Sequence, residues 1–130
     1  MSFTGNDAAG VALMLWSADA SCPQRLATPF FHAAAAAAMD VPVELYFTAA
    51  SVHLLVPSVA AGLRASEHAG KTIADNLREA VELGAQLFAC SDALAAQELD
   101  EQVLMAGVQR GGAVQFMARA IDLRWRTLVF

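Results

Sequence analysis

The sequence predicts an α/β fold with a mainly parallel sheet covered by helices on both faces. Three observations carry this. Short apolar runs of strand length, such as "VALMLW" and "AQLFAC", alternate along the chain with segments of helical periodicity. The runs are continuous rather than alternating in polarity, as strands buried on both faces require. Strand–helix–strand order then implies right-handed crossovers between parallel neighbours.

Val11 to Trp16 reads as the first strand. A polar turn, "SADASCPQ", follows, with Pro23 suited to the first turn of a helix. A helix is expected from about Pro23 to Met39, including the alanine run Ala33 to Ala38, whose small side chains permit close packing on a sheet or a second subunit. Asp40 to Thr48, "DVPVELYFT", is the second strand. Residues 49–70, with Pro57, Gly62 and Gly70, read as a loop containing a short helix. Its apolar members Val52, Leu54, Leu55 and Val56 suggest a subunit contact or a lid over a site. From Thr72 to Leu83, Ile73, Leu77, Ala80 and Val81 recur on one helical face, and Gly84 ends that helix. "AQLFAC" is the third strand, "SDALAAQ" a short helix, and "ELDEQVLMAG" a further turn or two. After Gly111-Gly112, "AVQFMARAIDL" is an amphipathic helix and "RTLVF" a closing strand. No linker or repeat divides the chain, so residues 1–130 are expected to form one domain.

The 130 residues are 57% hydrophobic and 16% charged, a globular composition with enough apolar surface to expect burial between subunits. Net charge is −5 and the eight Lys and Arg are scattered, which argues against nucleic acid. No apolar run approaches the roughly 20 residues of a membrane span. The start, "MSFTGNDAAG", lacks a signal peptide's basic region, so the cytoplasm is the expected compartment. His32, His53 and His68 show no metal-ligand spacing, and no phosphate-binding glycine motif occurs; neither metal nor cofactor is expected.

In open parallel sheets, sites form beyond the carboxyl ends of the strands. Cys90 falls there, at the end of the third strand with a helix start behind it. The unpaired N–H groups and positive dipole end favour a thiolate at that position. Ser91 and Asp92 are candidate caps, and Asp92 opposes a thiolate if it faces the sulfur. The competing reading is a small buried hydrophobe ending a core strand. Position alone leaves both open. Cys22, in the loop after the first strand, is a candidate resolving thiol or an incidental one. His53 is a candidate base or orienting group. Glu44 is a candidate for an interface pair or, less simply, a catalytic carboxylate. Trp16 and Trp125 read as core or interface residues.

An apolar first strand, an alanine-rich helix, "VPVELYFTAASVHLL", then "NLREAVELGAQLFAC" with its terminal cysteine, and a closing apolar strand together resemble the DsrE/DsrF-like family, which includes the TusD-type sulfur-relay proteins. The resemblance covers nearly the whole chain, and its most specific element is Cys90 in "GAQLFACSDAL". It implies a flavodoxin-like three-layer domain assembled as a homo-oligomer, a trimer or hexamer. It further implies a persulfide sulfurtransferase type of activity, with Cys90 passing sulfane sulfur between donor and acceptor proteins. Relay members tend to follow the cysteine with a basic pair; "SDALAAQELDEQ" is acidic and leaves the partner unassigned. The alternatives are a small-ligand-binding module, or a structural subunit of an oligomeric DsrE-like complex.

Overall fold

The computed structural model describes residues 8–130; the start of the N-terminal segment read above for a signal peptide, residues 1–7, lies outside the described residues. Strands β1 (Gly10–Leu15), β2 (Val43–Phe47), β3 (Gln86–Ala89), β4 (Gln109–Arg110) and β5 (Trp125–Val129) form one sheet in the order β4-β3-β2-β1-β5. Every pairing is parallel. Helices α1 (Ala27–Ala38), α2 (Pro57–Ala61), α3 (Ile73–Glu82), α4 (Ser91–Ala96) and α5 (Ala113–Ala120) supply the crossovers. The fold is thus the three-layer α/β arrangement that the apolar runs predict.

The layers are unequal. On one face, Leu13, Leu15, Leu45, Phe47 and Leu87 of the sheet pack with Phe30 and Ala33 of α1, Ile73, Leu77 and Ala80 of α3, and Ala93 and Leu94 of α4. On the other, Ala12, Tyr46 and Phe88 meet Phe116 of α5, with Met14 and Trp125 alongside. β2 is buried along its whole length because both layers press on it.

Local chemistry sets the element ends. Thr72 accepts a hydrogen bond from the Asp75 N–H at 3.1 Å while the Asp75 carboxylate accepts from the Thr72 N–H at 2.9 Å, a reciprocal cap at the start of α3. That bond from the Thr72 backbone, then Arg78, holds the Asp75 carboxyl below its usual range. The sequence helix from Pro23 to Met39 is two pieces: a 3-10 turn at Pro23–Arg25 and then α1.

Three expectations need correction. Val52, Leu54 and Leu55 are neither a lid nor a subunit contact. They lie in a 3-10 turn, Ala49–Leu55, fully buried in the larger core layer. Their apolar character belongs to packing, because the turn folds back under α4 instead of running over the surface. Glu44 pairs within its own chain, not across an interface: its carboxylate takes both Arg119 Nε (2.9 Å) and Nη2 (3.0 Å). Trp16 is not core, being 63% exposed just past the end of β1.

Tyr46, the chain's single tyrosine, donates its buried hydroxyl to Glu44 Oε1 at 2.8 Å. Burial first, and then this bond to a carboxylate, push the phenol up from 10.0 to about 12. The native state therefore holds the proton more tightly than the unfolded chain. The associated stability is complete below pH 10 and is lost as pH rises toward about 12. Ultraviolet titration reads it directly: tyrosinate absorbance should lag behind that of the urea-unfolded chain. A native chain titrating together with the unfolded one would refute the assignment.

Candidate functional site

The end of β3 delivers Cys90 to the carboxyl edge of the sheet. The Cys90 N–H donates to Phe47 O at 3.0 Å and its carbonyl accepts from the Leu94 N–H at 3.0 Å, so the residue closes β3 and caps α4 at once. Its side chain is half-buried. One side packs on the larger core layer, and the other lines a cleft of about 430 Å³.

The rest of the cleft comes from further along the chain: Ser91, Asp92, Arg110, Gly111, Gly112, Ala113 and Val114. β4 lies beside β3 with Ala89 opposite Arg110, and the Gly111 N–H donates to Ala89 O at 3.2 Å. This pairing brings the start of α5 against Cys90. Gly112 caps α5 and makes no side-chain cap hydrogen bond. Two helix starts, those of α4 and α5, therefore flank the thiol, and the positive ends of both dipoles favour an anion between them. Arg110 adds a cation at the mouth, donating from Nη1 to Ser91 Oγ at 3.2 Å and from Nη2 to Glu101 Oε2 at 3.3 Å. Asp92 is exposed in the first turn of α4 and supplies the opposing negative charge.

The sequence candidates separate. Cys90, Ser91 and Asp92 share the cleft. Cys22 does not line it, and both cysteines are free. The Cys22 thiol is turned to its own loop, donating toward Ser17 O at 3.5 Å and lying 3.9 Å from Asp19 Oδ1. His53 is also outside the cleft: its Nε2 pairs with Gln97 Oε1 at 2.9 Å, which ties the 3-10 turn after β2 to the far end of α4. That contact fixes the helix on which Ser91 and Asp92 stand.

Sequence reasoning missed Arg110, Gly111 and Gly112. A two-residue strand leaves no periodicity to read, and the glycine pair registers only as a helix boundary. A parallel partner for β3 in the segment before α5 would have been the signal.

The description of the DsrE/DsrF-like family matches residues 12–130. A comparison with curated proteins finds no match. Among solved structures, the chain is similar to MTH1491 from Methanobacterium thermoautotrophicum, a protein of unknown function. The TM-score is 0.62 and the identity 20%, over 92% of this chain and 97% of that one. It is similar also to the ychN protein from E. coli, with a TM-score of 0.61 and 15% identity over 93% of this chain and 98% of the other. At these identities the structural likenesses speak to the fold alone.

Proposed function

The chain belongs to the DsrE/DsrF-like family, and from that premise we propose that it carries sulfane sulfur as a persulfide on Cys90. The observation supporting this is the double placement of Cys90. Its backbone is fixed between β3 and α4, while its side chain lines an open cleft. A core thiol has no such access.

The chemistry balances without an oxidant. The Cys90 thiolate attacks the outer sulfur of a donor persulfide, R–S–SH. The new Sγ–S bond forms, the donor S–S bond breaks, and the donor leaves as the thiolate RS⁻. The transferred sulfur keeps its proton, giving Cys90 as –S–SH. An acceptor thiolate then attacks that outer sulfur and returns Cys90 to the thiolate. Two unpaired thiols suit a reducing, cytoplasmic compartment.

The same reading includes a homo-oligomer. The outer face of α5 carries Val114, Met117 and Ile121 at helical spacing, continued by Leu123, and all are exposed. An apolar strip of this kind favours a subunit contact. Val114 belongs to both the strip and the cleft, so an assembly through α5 would build a wall beside Cys90.

Native mass spectrometry before and after treatment with glutathione persulfide tests both parts. The expected result is an assembly of several chains, each gaining the mass of one sulfur atom, with the gain absent in Cys90→Ser. If Cys90→Ser gains sulfur as the wild type does, the carrier reading fails. A monomer at all accessible concentrations removes the oligomer.

No helix among the described residues is long and apolar enough to cross a membrane.

A further inference from the structure

We propose that Gly112 is the specificity-determining residue of the Cys90 cleft, its missing side chain being the room into which the outer sulfur extends. The assignment rests on the carrier reading above. The geometry behind it is specific to this glycine. A Cβ built on Gly112 has as its three nearest neighbours the Sγ (3.6 Å), Cβ (3.9 Å) and Cα (4.0 Å) of Cys90. Any side chain at this position therefore starts at Cys90.

A left-handed backbone does not explain the residue, whose φ is −137°. Nor does core packing, as it does at the adjacent glycine. A Cβ on Gly111 would meet Phe88 Cδ1 at 2.8 Å, so Gly111 is required by the aromatic ring beneath it. At Gly112 the space left open is space beside the sulfur.

The amount of space matters. At 3.6 Å a methyl carbon would rest on a bare thiol in ordinary contact. A persulfide places a second sulfur about 2.05 Å beyond the first. Any path for that atom, or for the attacking donor, that passes on the Gly112 side is then filled by an alanine and closed by a branched residue. The cleft accordingly takes donors and acceptors whose reacting sulfur reaches Cys90 along the side that Gly112 leaves open.

The test is the series Gly112→Ala, Gly112→Ser and Gly112→Val, read in two ways on the folded protein. One reading is the rate of iodoacetamide alkylation at Cys90, with Cys22 resolved by peptide mass spectrometry. The other is sulfur uptake from glutathione persulfide, with thermal melts to confirm folding. Gly112→Val should slow both by at least about tenfold, the factor that a clash of roughly 1.4 kcal/mol in the transition state produces. Alanine and serine should fall between. A folded Gly112→Val protein that reacts at the wild-type rate overturns the proposal. If Gly112→Val does not fold, alanine and serine variants both reacting as wild type overturn it instead. The carrier reading fails separately: wild type takes up no sulfur, while alkylation still declines along the series and upholds Gly112 as the residue that sets access.

Discussion

Phe88→Ala is expected to cost about 3–5 kcal/mol of folding stability, the range for deleting a buried aromatic side chain. Phe88 is 5% exposed and belongs to the thinner layer of the molecule, where α5 rests on the sheet. Its ring stacks on Tyr46 with centroids 5.0 Å apart, and Tyr46 meets Phe116 of α5 edge-on at 5.4 Å. Among the described residues, the buried apolar ones in this layer are only Ala12, Tyr46, Phe88 and Phe116, so few neighbours are available to collapse into the void. Phe88 also lies directly beneath Gly111, so the loss extends to the wall of the cleft. Urea denaturation measures the cost. A loss below about 1 kcal/mol would mean that the site relaxes freely and that this layer is not close-packed.

Arg119→Leu should destabilise the chain by about 2–4 kcal/mol, because it leaves a buried carboxylate without its cation. Glu44 is 6% exposed and depends on a two-pronged bond from Arg119, supplemented by the Tyr46 hydroxyl. Because the arginine side chain is itself a third exposed, the expectation sits below that for a fully buried pair. Arg119 also lies 4.1 Å above the Trp125 ring, so its removal strips a second contact between α5 and β5. The double substitution Glu44→Leu with Arg119→Leu should recover most of the loss, since replacing both partners removes the stranded charge. A denaturation cycle over the four proteins decides it. If the double variant is no more stable than Arg119→Leu, the ion pair is not what the single substitution breaks.

These two clusters explain why a chemically sparse sequence yields a defined cleft. Phe88 and the Glu44–Arg119 pair hold α5 at a fixed height above the sheet. The beginning of that helix is what stands across from Cys90. Arg110 reaches Ser91 over a sequence separation of 19, and Arg119 reaches Glu44 over 75.

The difference between what was legible and what was not follows from range. Short apolar runs place β1, β2 and β3, and helical periodicity places α3 and α5, close to where they occur, because a strand buried on both faces is apolar throughout and a helix face repeats at fixed spacing. The cysteine at the end of β3 is legible for the same reason: strand end and helix start are both local signals. Residues 49–55 misled because an apolar segment without strand or helix period looks like surface, whereas here it is a 3-10 turn buried under α4. For Trp16 the residue type left core and interface both open, and its exposure within the chain depends on where β1 stops.

By itself, then, the sequence determined the α/β class, the parallel sheet, the main packing faces and the position of Cys90 at a strand end. Only the tertiary structure decided which residues face that thiol. It set β4 beside β3, brought Gly111-Gly112 and Arg110 to the sulfur, turned Cys22 and His53 to other contacts, and gave Glu44 its partner. The physical reason is that side-chain periodicity is a property of one segment. The neighbour across a cleft is instead fixed by strand order and by helix packing between segments far apart in the chain, where local propensity carries no signal.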